Sequence, residues 1–146
     1  MSWQFFRASE CFDKFRQDWD AINRARGDHI LLDSRFVAFL LRHRDNRLYI
    51  AVHDDNYIRN YCPRLLELLV QFSDRMLIHR TEGDGARAQD SFVLADRLHF
   101  VRRPVQAQPR AVLRLNDEQE GQAIFLRFSE IWDNSVPAVS ATTSGL

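Results

Sequence analysis

Between Ser9 and Arg26 the apolar residues Phe12, Phe15, Trp19 and Ile22 recur every three or four positions, the spacing that keeps side chains on one face of a helix. Ser9 can cap the start and Gly27 stands just past the end, so an amphipathic helix is expected over about 9–26. HILLD, His29–Asp33, is a short apolar run of strand length. Asp33 or Ser34 then suits the cap of a short helix through Val37, Leu40 and Leu41. Leu48 to His53, within RLYIAVHDDN, is rich in β-branched and aromatic residues and predicts a strand covered on both faces. Asp54, Asp55 and Asn56 supply a cap for the helix that follows. That helix presents Ile58, Tyr61, Leu65, Leu68, Leu69 and Phe72 inward, and Pro63 places the start of its regular part near Cys62.

RMLIHR predicts another strand, and TEGDGARAQD a loop. From there the period changes to that of strands: SFVLAD, LHFVRR and AVLRLN follow in succession, with Pro104 and Pro109 confined to the last connection. Within the first of these, Phe92 and Leu94 should pack one face and Val93 and Ala95 the other. Asp117 and Glu120 form a capping box for a final helix whose inner face is Gly121, Ile124, Phe125, Phe128, Ile131 and Trp132. Gly121 is a poor helix former and weakens that expectation. The small, proline-interrupted residues 136–146 are expected to form a disordered tail, leaving one domain over 1–135. Alternation of strands and helices, followed by successive strands, predicts an α/β fold with a mixed, largely parallel sheet of about six strands and helices on both faces.

Composition narrows the function classes. The chain of 146 residues fits one domain with a core of its own. Twenty basic residues balance twenty acidic ones, so no whole-molecule field draws the protein to nucleic acid or to an anionic membrane; neither partner is expected. Of the basic residues only Lys14 is lysine. The two cysteines, Cys11 and Cys62, lack CxxC spacing and are expected to be thiols of a reducing compartment. With no signal-peptide pattern at the start and no membrane-length apolar run, the expected location is cytoplasmic.

Candidate chemistry is sparse. His29, His43, His53, His79 and His99 are not set at metal-ligand spacing, so no metal and no cofactor is expected. His53 with Asp54 and Asp55 stands at the carboxyl end of a predicted strand, where ligands bind in open α/β sheets, although a helix cap beside a half-buried histidine is the plainer reading. Arg102 and Arg103, with Arg80, Arg110 and Arg114, could form a local anion site or simply a solvated face. The apolar chain start, Trp3, Phe5 and Phe6, offers a patch for self-association. No phosphate-cradling glycine loop and no GxSxG occurs.

The run RLYIAVHDD, helix, RMLIHR, loop, QDSFVLAD, LHFVRR, LRLND and a last helix ending FSEIWDNS resembles one half of the phospholipase D superfamily, over roughly Asp28 to Ser135. It is closest to a small uncharacterised phospholipase D-like domain that follows N-acetyltransferase domains in proteobacteria. The family's strand motif, HxKxxxxD, falls on Gln89 to Asp96: Gln89 takes the histidine position, Ser91 the lysine position, and only Asp96 matches. The family's histidine attacks phosphorus and its lysine neutralises the phosphoryl oxygens; a carboxamide has no basic ring nitrogen and Ser91 no charge. The resemblance thus implies a degenerate half without catalysis, a bacterial binding or regulatory module. It further implies a homodimer, since active members join two halves, and a partner such as an acetyltransferase or a phosphate-bearing ligand. The alternative is a divergent phosphodiesterase or nuclease that uses His53 or His99 instead.

Overall fold

In the computed structural model, which describes residues 2–7, 40–105 and 110–139, the strands are β1 Ser2–Arg7, β2 Arg47–Val52, β3 Met76–Thr81, β4 Ser91–Ala95, β5 His99–Arg103, β6 Val112–Arg114 and β7 Ser135–Val139. The helices are α1 Asn56–Tyr61, α2 Pro63–Gln71 and α3 Glu118–Asp133, with helical residues also at 40–42 and a 3-10 turn at Gly83–Arg87. The expected helix over 9–26 and the expected strand His29–Asp33 lie outside the described residues.

The strands lie in the order β6-β5-β4-β1-β2-β3-β7. This corrects the expected largely parallel, phospholipase D-like sheet of about six strands. Only β1 with β2 and β2 with β3 are parallel; β1 with β4, β3 with β7, β4 with β5 and β5 with β6 are antiparallel. The strands form an antiparallel trio, β4-β5-β6, and a mixed trio, β2-β3-β7, with β1 between them. The reason lies in the connections. A parallel neighbour needs a crossover of a dozen or more residues, such as the α1 and α2 segment between β2 and β3, whereas β4 and β5 are joined by three residues and can only form a hairpin.

Two further findings concern the chain ends. The segment of Trp3, Phe5 and Phe6, expected as an apolar patch, is the strand β1, whose Phe5 backbone pairs with Ile50 on one side and Val93 on the other. The expected disordered tail from 136 begins instead as β7, with Arg80 opposite Val136 and His79 opposite Pro137. Proline argued for disorder, yet β7 is an edge strand among the described residues, and an edge strand tolerates proline on the side of its backbone that no strand pairs. Residues 140–146 lie outside the described residues.

The period-two pattern of β2 sorts the core. Leu48, Ile50 and Val52 join Ile58 of α1, Leu65 and Leu69 of α2 and Phe72 just beyond it, with Met76, Ile78, Val93, Ala95 and Val101. Ala51 joins Phe92, Leu94, Phe100 and the α3 residues Ile124, Phe128 and Ile131, with Tyr49 and Trp132 half-buried against them. The expected division of β4, Phe92 and Leu94 against Val93 and Ala95, is the one observed. Pro63 is the first residue of α2, so the helical segment splits at Cys62 into α1 and α2 where the proline removes a backbone donor. At the other helix, the Asp117 side chain accepts the Glu120 amide at 3.1 Å.

Gly121 resolves the doubt about α3. A Cβ there would stand 2.0 Å from the carbonyl oxygen of Arg97, so the glycine admits the β4–β5 turn against the first turn of the helix. Asp96 and Arg97 in that turn both have left-handed backbones, φ 52° and 59°. Aspartate accepts that conformation better than most residues.

Candidate functional site

Each sequence-derived site residue has a definite place. Gln89 is exposed ahead of β4, Ser91 is buried as its first residue, and Asp96 lies in the turn beyond its other end. Between the first two, Asp90 is 3% exposed and is held by two arginines. Arg127 of α3 donates from Nε at 2.9 Å to Oδ2 and from Nη2 at 2.5 Å to Oδ1, while Arg102 of β5 donates from Nε at 3.2 Å. Burial alone would raise the Asp90 pKa, but the hydrogen bonds and charge of Arg127, and then those of Arg102, outweigh it and hold it below the ordinary carboxylate value. Arg102, expected as an anion contact, is thereby committed to Asp90, and Arg103 lies half-buried at the end of β5. Sequence reasoning passed over Asp90 and Arg127, because nothing in their separation of 37 residues announces a pair.

Asp55 repeats the arrangement. It is buried, its Oδ2 receives Arg59 Nε at 2.5 Å, and Arg80 Nη1 lies 3.8 Å from Oδ1. Arg59 also reaches the carbonyl of Ala138 and so ties α1 to β7. The cap of α1 is shared: Asp54 Oδ1 accepts the Asn56 amide at 2.9 Å, while the Asp55 carboxylate serves the arginines instead.

His53 is enclosed by polar partners. Its Nε2 donates to the Ala88 carbonyl at 2.7 Å, and its Nδ1 meets the hydroxyl of buried Thr81 at 2.5 Å. In the neutral ring Nδ1 accepts that hydroxyl proton. The ring therefore pins the loop before β4 to the ends of β2 and β3. His99 Nδ1 accepts the Asn116 amide at 3.1 Å and holds the segment leading into α3. Among the described residues no group of three or more histidine, cysteine, aspartate or glutamate side chains is arranged to hold a metal ion.

The structure adds a site that the sequence did not suggest. On the α3 side of the sheet a cleft of about 310 Å³ is lined by Arg47 and Tyr49 of β2, Arg97 of the β4–β5 turn, and Phe125, Phe128, Ser129, Trp132 and Asp133 of α3. Its aromatic wall is fixed from several sides. Trp132 stacks on His79 at 3.7 Å between ring centroids, lies 5.4 Å from Phe128, and meets the Tyr49 ring edge-on at 5.5 Å. The Ser135 hydroxyl gives its proton to the Trp132 carbonyl at 2.6 Å and so receives His79 Nδ1–H at 2.9 Å. Burial lowers the His79 pKa, favouring the neutral ring that stacks there. The strand through Tyr49 was legible in the sequence, but its convergence with Arg47 and Arg97 was not.

A second cleft, about 450 Å³, lies where the 3-10 turn meets α3, lined by residues including Asp84, Arg87, Arg127 and Glu130. Its cations are already matched: Arg87 lies 3.2 Å from Asp84, and Arg127 grips Asp90.

These features define an α/β domain with a mixed sheet, buried arginine-clamped carboxylates and an aromatic cleft rimmed by arginines. The chain belongs to the family described as a domain of unknown function (DUF7931), whose model matches residues 8–141. No curated protein matches it. Among the described residues no helix is long and apolar enough to cross a membrane.

Proposed function

We propose that the chain is a non-catalytic binding module whose ligand occupies the aromatic cleft. The observation that carries this reading is the cleft itself: concave, largely apolar, with a few polar groups at its rim, as small-molecule sites are built. Ser129, the aliphatic hydroxyl in its lining, donates to the Phe125 carbonyl at 3.0 Å rather than to a base. His53 and His99, the histidines on which a divergent phosphodiesterase or nuclease would depend, are engaged in holding backbone and Thr81. Of the phospholipase D likeness the reading retains only the degenerate motif, Gln89, Ser91 and Asp96, and makes no use of that family's fold. Self-association, an acetyltransferase partner and a cytoplasmic location remain parts of the proposal that rest on the resemblance and the composition.

The test is turnover of bis-(p-nitrophenyl) phosphate by the purified chain. No turnover is expected, and His53→Ala should lower stability by about 1–3 kcal/mol, because Thr81 and the Ala88 carbonyl lose a buried partner. Turnover that vanishes on substituting His53 or His99 would replace this reading with the phosphodiesterase. Light scattering addresses self-association: a strictly monomeric mass at high micromolar concentration removes the homodimer.

A further inference from the structure

Within that binding reading, we infer that the cleft recognises a small planar aromatic anion: one ring system bearing a carboxylate or phosphate. The ring requirement comes from the wall. Tyr49, Phe125 and Trp132, with the buried Phe128, line a single concavity, and Trp132 is fixed by its stacks with His79 and Phe128, so the surface exists before any ligand arrives. Aromatic rings prefer offset-stacked or edge-to-face partners at such walls, which a planar ligand supplies.

The anion requirement comes from the rim. Arg97 lies over Phe125, its guanidinium carbon 3.6 Å from the ring centroid, a contact that restrains the fork, and a ring face takes up none of its N–H donors as a carboxylate would. Arg47 is steadied by donating Nη1 to the carbonyls of Arg44 at 2.6 Å and Asn46 at 3.2 Å. Neither arginine has a carboxylate within ion-pair distance among the described residues, unlike Arg59, Arg80, Arg102 and Arg127, which are all matched to Asp55 or Asp90. The one acidic residue in the lining, Asp133, is exposed, and two cations against it leave the cleft net positive. In a protein whose total charge is balanced, this is a local excess placed beside aromatic surface.

Size sets the remaining limit. A volume of about 310 Å³ stands at the low end of the roughly 300–1,000 Å³ of ligand sites, which suits one ring system with one acidic group and not a dinucleotide. The larger cleft beside the 3-10 turn lacks both features, having no aromatic wall and cations that are already paired.

The geometry also explains Gly121. Its missing side chain lets the Arg97 backbone settle on α3, and the left-handed turn then carries the Arg97 side chain onto the Phe125 ring. The glycine is thus a positioning residue for the rim.

The experiment is a titration of the full chain, followed by NMR at the Trp132 indole N–H, with four probes: adenosine 5′-monophosphate, 1-naphthoate, adenosine and inorganic phosphate. Saturable shifts at low millimolar concentration are expected for at least one of the two anionic rings, with adenosine and inorganic phosphate each about tenfold weaker or more. A response to the nucleotide alone assigns a phosphorylated ring, a response to naphthoate alone an aromatic acid, and a response to both the shared chemistry. Arg47→Gln and Arg97→Asn, the latter chosen because asparagine accepts a left-handed backbone, should each weaken binding about fivefold or more while the chain stays folded, with the melting temperature lowered by only about a few degrees. The inference is overturned if neither anionic ring shifts Trp132, if adenosine binds as well as its monophosphate, or if binding survives both substitutions. Those results leave the non-catalytic reading standing, whereas phosphodiester turnover would overturn that reading with the cleft still able to bind.

Discussion

Arg127 grips the carboxylate of Asp90 with two nitrogens, Nε at 2.9 Å from Oδ2 and Nη2 at 2.5 Å from Oδ1, and so fastens α3 to the loop that enters β4. The carboxylate is 3% exposed, but Arg102 and Arg127 are 40% and 39% exposed, so each guanidinium keeps part of its hydration. Asp90→Asn should therefore cost about 1–3 kcal/mol, less than the roughly 3–5 kcal/mol of breaking a wholly buried pair, because the released arginines relax into water. Denaturant unfolding measures this, and a change below a few tenths of a kcal/mol would show that the clamp adds nothing.

The same pair sets an acid response. Because the folded Asp90 pKa lies below its unfolded value, the unfolded chain binds more protons between the two. Its contribution to stability is complete above the unfolded pKa, about 3.9, and is lost as pH falls through the folded value. Melting temperature against pH should fall below about pH 4 in the parent chain, and more shallowly in Asp90→Asn. Equal acid slopes in the two proteins would refute the assignment.

His79 and Trp132 predict an optical signal. Protonating a ring that stacks 3.7 Å from the indole places a cation on it, and quenching of the Trp132 emission should follow with a midpoint below about 6.5, because burial lowers the His79 pKa. The unfolded state then binds the proton more readily, so stability is full above about pH 6.5 and declines as pH falls toward the folded value. His79→Gln should remove both the quenching step and that part of the slope. A fluorescence titration of the two proteins decides it, and a midpoint at or above the ordinary histidine value would contradict the half-buried, neutral ring.

Gly121→Ala should destabilise the chain by about 3 kcal/mol, because a methyl 2.0 Å from the Arg97 carbonyl oxygen must separate α3 from the β4–β5 turn. Gly83→Ala is the control. It has a left-handed backbone, φ +50°, but nothing within 4 Å of an added Cβ, and should cost only about 1–2 kcal/mol of conformational strain. Thermal melts of the two variants compare them directly; equal losses would mean that the turn moves freely and that Arg97 is not held in place by packing.

What the sequence determined alone is the local part of this protein. The β-branched and aromatic content of RLYIAV marked a strand covered on both faces, the alternation in SFVLA set Phe92 and Leu94 against Val93 and Ala95, and Pro63 marked the break between α1 and α2. Asp117 announced the start of α3. These are consequences of backbone period and of missing or added hydrogen-bond donors within a few residues, and they need no knowledge of the partner. Tertiary structure decided the rest. The direction of the strands followed from which segments were long enough to cross over, and proline in Ser135–Val139 was acceptable only because that strand took a sheet edge. Asp90 was an unremarkable residue between two motif positions until Arg102 and Arg127 closed on it from separate elements. Likewise Arg47 and Arg97 became a cationic rim only when β2, a left-handed turn and α3 met, because electrostatic and stacking interactions depend on distances that chain separation does not encode.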